Sequence, residues 1–450
     1  MNCVFRRCSI ALMGCAMMLS GCGRRSEPVS LIILQTGCLH GNIYPVSLSH
    51  SVPRQTYQYI SAYVRSVREE AAKTGAEVVL FDSGNSLSGS FASEVLDAEN
   101  VATFFNKVGY DAIVLGNQDI RLTKRSLREV QAPMLVPFRS ERSGDPPAPR
   151  NESIVLKKGG LEVRLFAVFC PGESSGWPLT PGSVPTEVDA VRVPVINQTS
   201  HGRPTLNVCL ALNADFSRQP ELVDRLVQTG ADVLLGQTVD TRSEADPPTD
   251  ASLAGVVLSQ NFCFGRGETY VARIDLHKTP NGWRADRKQL VRMRGDVVHA
   301  DKGVVEAIVP LGQRLAAANH LVVRLDQPKD SSAIREIIGR ALDGIQPDAG
   351  WLLPEGDTGA IWEPGPLYLS DIFDAMPWDD QIVVLTGLRP DYSELSKHYW
   401  MRPIGETGAL ITLQSIADRL TGGQGSAGSN VQTKETGKKV YEVVAKLLSD

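Results

Sequence analysis

The sequence predicts an α/β (α+β) layer fold in two domains, on three observations. Short apolar runs alternate with stretches of helical periodicity through the first three hundred residues. Five of those runs end in loops of small and polar residues. Beyond a long helical stretch near residue 310 the chain starts a second, shorter alternation. The length of 450 residues agrees, because roughly 150 residues make one domain. Apolar residues at 42% and charged residues at 22% give enough material for a sizeable core. A net charge of −5 without any long Lys/Arg block argues against a nucleic-acid partner. No apolar run reaches the roughly 18 residues that a membrane-spanning helix needs.

The elements follow in order. Leu31 to Gln35 reads as a buried strand. Tyr57, Ile60, Val64, Val67 and Ala71 recur at helical spacing, and Gly75 can end that helix. Glu77 to Phe81 is the next strand, Glu99 to Lys107 a helix stopped by Gly109, and Asp111 to Leu115 a third strand. Leu206 to Leu212 is a strand, and Pro220 to Gln228 is a helix with Pro at its start and Gly230 at its end. Asp232 to Leu235, Gly255 to Leu258 and Thr269 to Leu276 are strands, the last two without helices between them. Residues 301–320 read as one helix linking the domains, with Val304, Val305, Ile308, Leu311 and Leu315 on its apolar face. The second domain, 321–450, has a helix at Ser332 to Leu342 and a segment from Ser370 to Met376 stopped at Pro377. It continues with a strand at Gln381 to Thr386, a Gly/Ser-rich stretch at Thr421 to Asn430, and an amphipathic terminal helix.

The N-terminus reads as an address. Arg6 and Arg7 precede an apolar run from Cys8 to Met18, and Leu19-Ser20-Gly21-Cys22 follows. This order resembles the lipobox of bacterial lipoproteins, and the resemblance implies a signal peptide over 1–21 and lipidation of Cys22. Residues 22–30 are then a tether, and the protein sits at the cell envelope, anchored outside the cytoplasm. Two or more acyl chains would hold it stably, since one is marginal. Of eight cysteines, Cys38, Cys170, Cys209 and Cys263 lie beyond this segment. Cys170 and Cys209 fall in strand-like runs, where a buried thiol is the plain reading. A disulfide is compatible with an extracytoplasmic location, but the sequence does not pair the cysteines.

In open α/β sheets ligands gather beyond the carboxyl ends of the strands. Those ends carry Thr36-Gly37-Cys38-Leu39-His40-Gly41, Asp82-Ser83-Gly84-Asn85-Ser86, Gly116-Asn117-Gln118-Asp119-Ile120-Arg121, Asn213-Ala214-Asp215 and Gly236-Gln237-Thr238-Val239-Asp240. The third block begins as Gly109-Tyr110-Asp111-Ala112-Ile113-Val114-Leu115. In order and position these loops resemble the bacterial 5′-nucleotidase family, with its calcineurin-like metallophosphoesterase domain. The resemblance covers about 31–276 and, more weakly, 373–387. It implies a four-layer α/β/β/α sandwich over 31–300 and a smaller α/β nucleotidase C-terminal domain over 321–450.

The family's functional residues carry over poorly. The positions that hold two divalent metals are occupied by Cys38, His40, Asn85, Asn117, Asn213, Thr238 and Asp240. By the same resemblance Asn85 stands where a bridging Asp is expected, Gln118 where the catalytic His is, and Arg121 where the Asp that supports that His is, whereas His40 and Asn117 are kept. A neutral amide cannot offset the repulsion of two adjacent cations, and amide or hydroxyl oxygens are weak ligands for transition metals. Gln118 cannot exchange a proton as a general acid does. The sequence therefore leaves one divalent ion, zinc or manganese, as the most that is expected. Cys38, His40 and Asp240 form a three-ligand zinc pattern; the plainer alternative makes Cys38 a buried small residue and His40 a loop anchor. A Cys38–His40 nucleophile pair is a further option, and Asp82 reads as a loop cap. Gly423 to Gly428 fits G-x-G-x-x-G but follows a helical stretch rather than a strand. The reading that results is an anchored member of this family, non-catalytic, with a membrane contact through its lipid and an envelope protein partner. The alternative is a phosphoester hydrolase with an altered metal site.

Overall fold

A computed structural model describes residues 30–44, 56–116, 119, 124–137, 153–170, 204–212, 214, 216, 220–228, 230–240, 252–253, 256–264, 269–293, 301–354, 361–376, 381–387, 399–404, 408–414, 416–417, 420 and 431–450. Of residues 56, 124–126, 220, 237–240, 252–253, 259–264 and 354 it describes the backbone alone. The signal peptide, residues 22–29 of the tether with Cys22, and the Gly/Ser-rich stretch at 421–430 lie outside the described residues, and Ser30, the last residue of the expected tether, already belongs to the first strand.

The first sheet starts with β1 (Ser30–Thr36), which leads into helix α1 (Thr56–Thr74) and β2 (Glu77–Asp82). Two helices, α2 (Phe91–Val95) and α3 (Glu99–Val108), precede β3 (Ala112–Val114), and α4 (Lys124–Glu129) precedes β4 (Met134–Leu135). These four strands run parallel in sequence order. The second sheet starts with the hairpin β5 (Ser153–Lys158) and β6 (Leu161–Phe169), then adds β7 (Thr205–Leu212) in parallel. After α5 (Pro220–Val227), β8 (Val233–Asp240) and β10 (Val256–Phe264) extend it in parallel, and β9 (Ser252–Leu253) forms its edge. The chain then returns to the first sheet through β11 (Tyr270–Thr279), antiparallel to β1, and β12 (Gly282–Arg292).

Three cores separate four layers, as the resemblance implies. Strand side chains alternate between faces. On β1, Leu31 and Ile33 therefore point to the inter-sheet core, where they meet Phe81, Leu165, Val208, Leu210 and Val233. Ile32 and Leu34 point the other way, into a core made with Tyr57, Ile60, Val64, Phe104 and Phe105 of α1 and α3. On the far side of the second sheet, Phe166, Cys209 and Leu234 pack on Leu222, Val223 and Leu226 of α5. Burial on both faces explains why these strands read as continuous apolar runs.

The single helix expected over 301–320 is broken. Asp301 caps α6 (Lys302–Ile308), a 3₁₀ turn occupies Val309–Leu311, and α7 (Gly312–Ala318) follows. Pro310 is the cause: it has no N–H to donate and its ring crowds the preceding turn. The C-terminal part has a two-stranded sheet, β13 (Leu321–Leu325) with β15 (Gly365–Tyr368). It also has a five-stranded sheet in the order β17 (Tyr399–Arg402), β14 (Gly350–Pro354), β18 (Ala409–Leu413), β16 (Gln381–Thr386), β19 (Gln432–Lys439). Helices α8 (Ser331–Asp343), α9 (Leu369–Ala375) and α10 (Val440–Ser449) share its core. That core also takes in Tyr44, Phe91 and Ala92 from the first part of the chain.

Candidate functional site

The carboxyl ends of β1, β2, β3 and β7 converge beside the middle of β8, which runs to Asp240, so Gly236 to Asp240 are strand and not the strand-end loop expected of them; glycines and one cross-sheet bond set how closely. A Cβ at Gly84 would stand 2.9 Å from Leu212 Cδ2 of β7 and 3.1 Å from the Gly116 nitrogen after β3. Gly84 has φ +100°, a conformation open to glycine alone at little cost. Across the sandwich, Gln35 Nε2 donates to the Gly236 carbonyl of β8 at 3.2 Å and to Ser83 Oγ at 3.1 Å.

The loops after β1 and β2 are zipped together by main-chain bonds. Ser83 N donates to Thr36 O at 2.9 Å, Cys38 N to Gly84 O at 2.9 Å, His40 N to Asn85 O at 3.0 Å and Gly41 N to Ser86 O at 2.9 Å. Cys38, His40 and Asn85 all adopt positive φ, at 52°, 47° and 54°. Such non-glycine strain clusters at functional sites and persists where the surroundings enforce it. These are three positions that the resemblance assigns to metal ligands; His40 is the expected donor there, whereas Cys38 and Asn85 stand where carboxylates are expected.

A buried network holds the cradle from below. Asp82 accepts from Thr36 Oγ1 at 2.7 Å, Ser86 Oγ at 2.9 Å and Gly84 N at 3.0 Å. Thr36 in turn bonds the Tyr110 hydroxyl at 3.0 Å. Burial pushes the Asp82 carboxyl up to about 7, against the pull of those donors. Asp119 Oδ1 accepts from Leu87 N at 3.0 Å and Ser88 N at 3.3 Å, and its Oδ2 from Gly116 N at 2.9 Å. Burial raises Asp119 to about 6. Both carboxyls tie loops together, as the cap reading of Asp82 expects. The Gln35–Gly236 bond and the role of Asp119 were not foreseen. A polar Gln closing an otherwise apolar strand was the signal for the first.

Asn85 is 5% exposed, and its amide lies where a side chain on Gly116 would be, since a Cβ there would fall 1.9 Å from Asn85 Oδ1. Cys38 is disulfide-bonded. In that state its sulfur is neither the thiolate ligand nor the nucleophile that the sequence allowed. Of Thr238 and Asp240 the backbone alone is described, on β8. Asn117, Gln118, Arg121 and Asn213 lie outside the described residues. Among the described residues no three His, Cys, Asp or Glu side chains converge as a metal site. The donors that are described do not suit a pair of divalent ions: a neutral amide stands at the bridging position, and a disulfide sulfur stands beside His40.

Two β-sheets face to face, with a loop cleft at their carboxyl ends and a second α/β unit packed beside them, define the two-domain architecture of the 5′-nucleotidases. The comparison with solved structures agrees. The chain is similar to a 5′-nucleotidase precursor from Thermus thermophilus, with TM-score 0.59 at 14% identity, covering 93% of this chain and 96% of that one. It is similar to the sulfate thiohydrolase SoxB of Thermus thermophilus, with TM-score 0.61 at 13% identity, covering 93% and 94%. It is also similar to a 5′-nucleotidase from Candida albicans, with TM-score 0.61 at 9% identity, covering 93% and 97%. No protein-family model matches the chain, and no curated protein matches it in sequence. At these identities the likeness is one of fold, and fold leaves the chemistry to the site.

Proposed function

We propose that this chain is a lipid-anchored bacterial envelope protein that keeps a nucleotidase-like cradle without two-metal hydrolysis, and serves as a binding or assembly component at the membrane. The observation that carries this reading is Asn85: the position expected to bridge two cations holds a buried, neutral amide pressed against Gly116. Bridging by a carboxylate is what lets two ions sit close together in hydrolases of this type. The lipobox-like run ending at Cys22 supports the anchor. No helix among the described residues is long and apolar enough to cross a membrane.

The competing reading is a metal-dependent phosphoester hydrolase of nucleotidase type with an altered site. The shared fold and the backbone strain at Cys38, His40 and Asn85 favour it. Hydrolysis of p-nitrophenyl phosphate and of nucleoside monophosphates, with manganese, zinc, cobalt or calcium added, separates the two. The proposal expects no turnover above background, and none in Asn85→Asp or Gln118→His alone. Strong activity in the wild type, or after either single change, would reverse it. For the anchor, Cys22→Ser is expected to release the protein from membranes; retention there would refute lipidation.

A further inference from the structure

The Cys38 disulfide has a partner that topology and elimination identify together. Cys170 and Cys209 are free and buried. The other cysteines are Cys3, Cys8, Cys15, Cys22 and Cys263. The first four belong to the segment that the lipoprotein reading removes or lipidates, so the pairing rests on that reading. The backbone points the same way. Gln35 of β1 ties to the Gly236 carbonyl of β8, and Gly236 is level with Gln260 of β10. From that tie Cys38 lies three residues further along its chain, and Cys263, level with Val239, three residues further along β10. Both segments run toward the same end of the sandwich, because β8 and β10 are parallel to β7 and Leu212 of β7 abuts Gly84 after β2.

We propose that Cys38 and Cys263 form one disulfide, a covalent brace that pins the β1 loop to β10 across the mouth of the cleft. It stands at the position where the resemblance expects the first metal-ligating Asp. The brace thus joins the two sheets at an end where bound cations would otherwise do so. Its formation takes two thiols to one S–S bond. The two electrons and the two protons pass to a disulfide-bearing thiol–disulfide carrier, whose own S–S bond breaks and which leaves as a dithiol. That chemistry belongs outside the cytoplasm. The bond closes a loop of more than two hundred residues, which restricts the unfolded chain strongly.

The test is peptide mapping of the full chain, extracted from membranes in detergent, alkylated without reductant and cut with trypsin. The expected product is Ser26–Arg54 joined to Ser243–Arg266, separating on reduction. An alkylated Cys263 before reduction, with Cys22 carrying lipid, would overturn the pairing alone. Cys38 joined to Cys3, Cys8, Cys15 or Cys22 would overturn both the pairing and the lipoprotein reading. As a second measurement, Cys38→Ser and Cys263→Ser are each expected to lower Tm by about 5–15 °C, and the double variant by no more than either. Additive losses would contradict a shared bond.

Discussion

At Asn85 the backbone sits at φ 54°, the His40 amide bonds its carbonyl, and its side chain fills the space beside Gly116. Gly116→Ala is therefore expected to cost about 1–3 kcal/mol by overpacking, because the new Cβ meets Asn85 at both Oδ1 and backbone nitrogen. Chemical denaturation reads this directly. Asp82 makes a pH prediction. Its folded-state pKa, about 7, lies above the ordinary value of 3.8, so its contribution is fully present below about pH 4 and is lost as pH rises through 7. Asp82→Asn should flatten the fall in stability over that window by up to about 4 kcal/mol, against an offset from the hydrogen bonds the carboxylate now accepts. A pH–stability profile identical to wild type would show that this carboxyl does not titrate there. The site was partly legible at this scale. Small and polar strand ends mark a cradle in any open α/β sheet, and the neutral residues at Asn85, Asn213 and Thr238 are what argue against two metals in the sequence. The disulfide at Cys38 was not legible, because pairing depends on which strands the fold brings level.

Among the elements, α2 links the cradle to the rest of the molecule. Ser90 accepts from Ser93 N at 3.1 Å as N-cap, and its hydroxyl donates to the Gly41 carbonyl at 2.6 Å. Ser90→Ala removes both, and should cost about 1–2 kcal/mol and loosen the His40 loop. Amide hydrogen exchange at Gly41 and Ser93 measures this; unchanged protection there would contradict it. The parallel strands β1, β2 and β7 were the easiest elements to read, because burial on both faces leaves uninterrupted apolar runs. The hairpins β5–β6 and β11–β12 were harder. Strand β12 carries Arg284, Asp286, Arg287 and Lys288 on a largely solvated edge, and that composition hides a strand. The helix over 301–320 was misjudged because its apolar spacing survives the interruption at Pro310, whereas its hydrogen bonding does not.

For the whole molecule, the two parts share a core instead of being joined only by a linker. Phe91 of α2 is 1% exposed and meets Phe373 of α9 edge-on, with ring centroids 5.9 Å apart, and Phe373 meets Tyr441 of α10 at 5.1 Å. Ion pairs between Lys439 and Glu94 and between Arg314 and Glu99 reinforce the contact. Phe91→Ala is expected to cost about 3–5 kcal/mol and to split one calorimetric transition into two. A single, merely shifted transition would mean that the parts unfold as a unit regardless. The proposed function requires a cradle that does not hold a metal pair. Its most direct test is the metal content of the purified full chain, by elemental analysis after loading with manganese, zinc, cobalt and calcium and then dialysis. Less than one equivalent of any of them is expected to stay with the oxidised protein. About two equivalents retained would contradict it.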